Sequence, residues 1–141
     1  MAAAAEPMVV THDGGLRFVT DIRGHRLVVD QPGPKGEDTA PMPVELLGAA
    51  LGTCIALYVQ QYCASRALPY EGMRVELQQH SVKHPYRLGS FAVRIVLPEP
   101  LAPEHLEMLE RVARSCPVHN TLLHAPRLDI AIETGAAAAA A

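Results

Sequence analysis

Three cysteines, Cys54, Cys63 and Cys116, are the groups in this sequence best suited to reactive chemistry. A thiolate attacks peroxides and disulfides, and two thiols within reach of each other can cycle through a disulfide. Cys54 lies in the least polar long stretch of the chain, "VELLGAALGTCIALYVQQYCAS", residues 44–65. Cys54 and Cys63 read as parts of one helix. Nine residues of helix set them about 180° apart around the axis and roughly 13 Å apart along it, so they cannot bridge. Cys63 reads as a spectator, in the core or on the surface. Cys54 and Cys116 fall on different helices, each on an apolar face, and helix packing could bring them together. The small neighbours in "GTC" leave the Cys54 sulfur open to close approach. In "CPVHNTL", Cys116 directly precedes Pro117. If a helical turn starts at Pro117, Cys116 is its N-cap, where backbone N–H groups lower a thiol's pKa. His119 could assist. The plainer alternative is a helix-ending Cys-Pro with a solvated histidine, and a buried cysteine acting as a small hydrophobe.

Other chemistries find less support. Cys116, His119 and His124 resemble a ligand run, but no second cysteine pair or carboxylate lies within it. The five-residue His-to-His spacing also crosses an expected turn, so no metal is expected. His12, His25, His80, His84 and His105 are scattered. No serine sits in a nucleophile elbow and no glycine loop follows a strand to cradle phosphate, so no cofactor is expected. The net charge is -3 without a basic tract, which argues against nucleic acid as a partner. The absence of Trp and an aromatic share of 4% remove stacking platforms for bases.

The elements that must position these thiols can be read from pattern. The 141 residues suit one domain, expected over 8–134, between disordered tails at 1–7 and 135–141 that are rich in alanine. Residues 8–30 read as β structure, with "LRFVTDI" and "RLVVD" turning at Gly24. A loop dense in Pro and Gly, "QPGPKGEDTAPMP", leads to a long helix from Pro43 to about Ala67, with Glu45 in its first turn and Pro69 beyond its end. That helix is apolar nearly all round from Leu46 to Val59 and must be covered on every side, which one short sheet cannot do. A partner subunit is inferred. The strongly apolar part is too short for a bilayer core of about 30 Å, and no membrane association is expected.

Next come "MRVELQQHSV" and "SFAVRIVL", the latter with Phe91, Val93, Ile95 and Leu97 on one face. A second helix, "APEHLEMLERVARSC", carries Leu106, Leu109, Ala113 and Cys116 on its apolar stripe. The last strand is expected at "RLDIAIE", with Leu128, Ile130 and Ile132 inward. The expected order is β-β-α-β-β-α-β, an α+β fold. An odd cysteine count and an N-terminus, "MAAAAEP", unlike a secretory signal point to a reducing cytoplasm.

"PVELLGAALGTC", followed about sixty residues later by "CPVHNTL", resembles the OsmC/Ohr family of thiol-dependent peroxide reductases. "GEDTAPMPVELLGAALGTC" looks like its general OsmC-like branch, and the likeness extends over roughly Gly15 to Glu133. The resemblance implies an OsmC-like fold: an intertwined homodimer with antiparallel sheets around long buried helices and two active sites at the subunit interface. It matches Cys54 to the peroxidatic cysteine, Cys116 to the resolving cysteine and Glu45 to the glutamate at the helix start. That glutamate pairs with an arginine, for which Arg17, Arg23 and Arg26 are candidates and Arg17 is favoured. Glu45 and Cys54 lie on opposite sides of one helix, so Glu45 would serve the Cys54 of the other subunit.

The expected activity is reduction of organic hydroperoxides through a Cys54 sulfenic acid that Cys116 resolves. Turnover would use a dithiol reductant, a lipoyl protein being one candidate by family analogy. The alternative is a dimer of the same fold without peroxidase activity, holding a small apolar ligand at the subunit interface.

Overall fold

Side-chain alternation decides where the core of this chain lies. In the computed structural model, which describes residues 5–135, two antiparallel strands, β4 (Arg74–Val82) and β5 (Arg87–Val96), pair with Val75 opposite Ile95, Leu77 opposite Val93 and Gln79 opposite Phe91. These pairs share one face, because successive residues of a strand point to opposite sides. That face carries the long helix α1 (Pro43–Ser65): Gly48 rests on Leu77 and Gln79, and Gly52 on Leu77 and Val75. The glycines let the helix axis come close to the sheet. Helices α2 (Pro103–Arg114) and α3 (Pro117–Leu123) also pack on α1. Leu51, Ile55, Val59, Tyr62, Cys63, Leu109, Ala113 and Cys116 form the buried cluster between them.

The ends of α1 follow from local chemistry. Pro43 opens the helix, and the Glu45 carboxylate accepts a hydrogen bond from the Met42 N–H at 2.8 Å. At the other end Ala67 takes a left-handed φ of 52°. The Leu68 N–H then donates to the Cys63 carbonyl (2.9 Å) and the Ala67 N–H to that of Ala64 (3.3 Å), the hydrogen-bond pair of a Schellman cap. This cap ends the helix at Ser65, two residues before the expected limit. The helix has 23 residues and a mean hydropathy of 1.4 over its most apolar window, so by length and composition it could cross a membrane. The expectation that its apolar stretch is too short is corrected on that count. A core helix meets the same criterion, and α1 packs through Leu51, Ile55 and Val59 into the buried cluster.

A second antiparallel sheet, in the order β1 (Val9–His12), β2 (Phe18–Ile22) and β3 (His25–Val29), precedes α1. Arg23 and Gly24, both with positive φ, make the two-residue turn between β2 and β3, and Asp21 accepts from the Gly24 N–H. The following loop is organised by Asp30, which is buried. Its carboxylate accepts from the Gln31 N–H (2.7 Å), the Thr39 N–H (3.0 Å) and the Thr39 hydroxyl (2.8 Å).

The molecule is therefore α+β, with antiparallel sheets and a long helix, but its element order differs from expectation at three points. The β region before α1 is three strands, and Pro117 starts a separate helix. The expected last strand, residues 127–133, pairs with nothing among the described residues, and Leu128, Ile130 and Ile132 are 80%, 88% and 88% exposed. A strand needs a ladder partner, which the described residues do not supply to the segment. Of the expected tails, residues 1–4 and 136–141 lie outside the described residues.

Candidate active site

The α2–α3 corner brings the two candidate thiols together. Cys116 follows α2, is fully buried, and is the N-cap of α3. Its sulfur accepts the His119 backbone N–H at 3.4 Å. Pro117 makes the corner, because proline tolerates the first helical position and needs no N–H partner there. Cys54, half-buried on α1, packs against the same cluster and lies close enough to interact with the Cys116 thiol.

The electrostatics of Cys116 differ from expectation. The N-cap placement holds, yet burial pushes the Cys116 thiol above the ordinary value and outweighs the His119 N–H, which acts in the opposite sense. The Cys54 side chain raises it further through hydrogen bonding and like charge. Both effects favour the neutral Cys116 thiol over its thiolate. Cys63 is completely buried, nine residues along α1 from Cys54, and desolvation raises its thiol as well.

Glu45 and Arg17 do not join the thiols within one chain. The Glu45 carboxylate is turned onto the Met42 N–H at its own helix start. Arg17 lies 3.0 Å from Asp13 at the β1–β2 connection and is paired there instead of with Glu45. Arg23 and Arg26 are exposed and form no ion pair among the described residues. His119 touches Cys116 through its backbone N–H and is among the residues that border a neighbouring cavity. No cluster of three His, Cys, Asp or Glu side chains suited to a metal is present among the described residues.

Two concavities flank α1. One, of about 670 Å³, is walled by Leu51, Ile55, Phe91, Ile95 and Leu109, with Glu110, Arg114 and His119 at the α2–α3 end. The other, about 740 Å³, runs along the small residues Gly48, Ala49, Gly52 and Ala56 with Glu45 at its mouth. The sequence shows the apolar faces that wall them. It gives less sign of the Asp30 anchor or of the Tyr62–His105 hydrogen bond (3.0 Å), since each joins residues distant in the chain.

The family model of OsmC-like proteins matches residues 36–131, a span that contains Glu45, Cys54 and Cys116. The chain belongs to the OsmC-like protein family. Its fold is shared with an osmotic stress induced and detoxification response protein from Psychrobacter arcticus, at a TM-score of 0.78 and 20% identity over 85% of this chain and 90% of that one. An OsmC-like protein from Mycoplasma pneumoniae gives a TM-score of 0.74 at 14% identity, over 89% and 91%. An organic hydroperoxide resistance protein from Legionella pneumophila gives 0.64 at 19% identity, over 85% and 91%. No curated protein sequence matches the chain.

Proposed function

We propose that the protein is a thiol-dependent peroxidase that reduces organic hydroperoxides. The observation that carries this reading is the pair itself: half-buried Cys54 against fully buried Cys116, in a family whose structural relatives include proteins named for organic hydroperoxide resistance. The Cys54 thiolate attacks the distal oxygen of ROOH. The O–O bond breaks, ROH leaves with a proton, and Cys54 becomes a sulfenic acid. The Cys116 thiol condenses with it, releasing water and forming a Cys54–Cys116 disulfide. A dithiol then supplies two electrons and two protons and leaves as its own disulfide. The roles follow from burial: the more accessible thiol meets the substrate, and the buried one waits as a neutral S–H for the sulfenic acid. The apolar cavity bordered by Ile55, which follows Cys54, and by His119, whose N–H bonds Cys116, suits an organic substituent on the peroxide. A reducing cytoplasm would keep both thiols ready.

The same reading takes the working unit to be a homodimer. Leu57 on α1 is 60% exposed, the 127–133 segment presents three uncovered aliphatic side chains, and the β1–β3 sheet has its strand β1 exposed throughout. A second copy covering these surfaces removes their cost in water. It also offers Glu45 a route to the other copy's Cys54, with Arg17 exchanged from Asp13, or Arg23 or Arg26, completing the set.

The apolar cavity of about 670 Å³ keeps a second reading in view, a ligand-binding dimer without peroxidase turnover. Thiol titration separates the two. Reduced protein treated with cumene hydroperoxide should lose two thiols per chain. Cys54→Ser should consume no peroxide, and Cys116→Ser should accumulate a sulfenic acid at Cys54. A wild type that keeps all three thiols would overturn the peroxidase reading.

A further inference from the structure

We infer that the tip of the β4–β5 hairpin is a docking surface for an acidic protein segment that delivers the reducing dithiol. The tip presents Lys83, His84, Tyr86 and Arg87, all exposed, with Tyr86 73% exposed. No acidic residue occurs between Glu76 and Glu99, so the hairpin beyond Glu76 carries only cations. Arg94, further along, is already taken by Glu76 at 2.6 Å. Lys83 and Arg87 form no ion pair among the described residues. A local cationic patch in a chain of net charge -3 stands apart from its surroundings.

The tip is held in shape. Val82 pairs with Arg87 at the end of the ladder, Val82 packs over Gly89, and His84 closes the turn with a left-handed φ of 63°. Its side chains are thus presented on a braced hairpin. A large exposed aromatic flanked by Arg and Lys is the composition of a protein–protein hot spot. Polyanions fit less well. Two permanent cations neutralise few phosphates, whereas nucleic-acid or membrane binding at physiological salt rests on many such contacts. The net negative charge also opposes long-range attraction of a polyanion.

Position connects the tip to the thiols. Gly48 packs on Gln79 and Gly52 on Val75, so α1 runs antiparallel to β4. Four residues beyond Gln79, roughly 13 Å at strand rise, Lys83 projects past the α1 N-terminus, where Glu45 lies. In the proposed dimer the Glu45 end of one copy meets the Cys54 of the other, and the tip then overhangs that copy's thiol pair. This placement rests on the peroxidase reading; the patch and its charge do not.

The test uses a synthetic peptide with a Cys-X-X-Cys dithiol flanked by Asp and Glu, its Asn/Gln counterpart, and dithiothreitol as a small reductant. With S-alkylated peptides, anisotropy at low ionic strength should show the acidic form binding wild type about tenfold more tightly than the neutral form. K83E/R87E should erase that preference, and Tyr86→Ala should weaken binding of both peptides. With the dithiol peptide, reduction of the Cys54–Cys116 disulfide should slow about tenfold in K83E/R87E, while dithiothreitol reduces both proteins equally. The inference is overturned if wild type shows no preference, if K83E/R87E binds as wild type does, or if duplex DNA or phosphatidylglycerol vesicles bind more tightly than the peptide. The binding arm needs no peroxide, so failure of the peroxidase reading, seen as unchanged thiols after peroxide, is told apart from failure of the docking surface.

Discussion

Two glycines on one face of α1 should answer differently to the same substitution. Replacing a helix-interior glycine by alanine gains roughly 0.8–1.0 kcal/mol of backbone stability when the methyl group has room. At Gly52 it has room: the new Cβ would sit 3.9 Å from Leu77 Cδ1 and 3.9 Å from Val75 Cγ1, ordinary contact distances. Gly52→Ala should therefore stabilise by about 1 kcal/mol, a rise of roughly 3 °C in Tm for a chain of this size. At Gly48 the same atom would come 2.5 Å from Gln79 Oε1 and 3.1 Å from Leu77 Cδ2. Gln79 must swing away and Leu77 must shift, which offsets most or all of the gain. Urea unfolding followed by circular dichroism, at one fixed protein concentration so that self-association cancels, gives both values. A Gly48→Ala variant as stable as Gly52→Ala, or more so, would refute the packing of α1 on β4 described above.

Three further outcomes follow from single residues. Ala67 holds a left-handed φ of 52° at the α1 cap, so Ala67→Gly should stabilise by several tenths of a kcal/mol in the same urea assay, because glycine adopts this conformation without strain. Hydrogen bonds from the Thr39 N–H, the Gln31 N–H and the Thr39 hydroxyl hold the Asp30 carboxyl below the usual value. Its contribution is complete above the ordinary carboxylate pKa of about 4 and fades as pH falls through the lower folded value. Amide exchange at Thr39 should accelerate there relative to neighbouring segments, and in Asp30→Ala it should already be fast at neutral pH. Burial raises the Cys63 thiol, so the unfolded chain ionises it first and stability falls as pH rises above about 9. A Cys63→Ala variant should show a shallower alkaline decline in urea midpoint than wild type.

Much of the scaffold is legible in the residues because it rests on local patterns. Pro43 and Pro103 mark helix starts, the β5 alternation at Phe91, Val93 and Ile95 marks the inner sheet face, and Cys-Pro at 116–117 marks the N-cap. The inward face of β5 continues the face of β4 on which α1 rests through Val75 and Leu77. What the pattern leaves open is set by tertiary burial. The N-cap N–H groups at Cys116 predict a lowered thiol pKa, yet full burial reverses the sign, and no local window of sequence reports how much chain will close over a sulfur. Residues 127–133 have the alternation of a strand, but alternation specifies a face and not a ladder partner, and among the described residues the segment stays unpaired. Arg17 illustrates the same limit. Its type suits activation of a thiolate, while its position, 3.0 Å from Asp13, is fixed by a hairpin whose relation to Cys54 depends on what covers the sheet.

The most direct test of the account is a non-reducing peptide map of protein treated with one equivalent of cumene hydroperoxide per chain. One new species is expected, a disulfide joining the Cys54 peptide to the Cys116 peptide, with Cys63 recovered as a free thiol and cumyl alcohol formed in equal amount. Recovery of Cys54 and Cys116 as free thiols, or a disulfide that engages Cys63 instead, would contradict it.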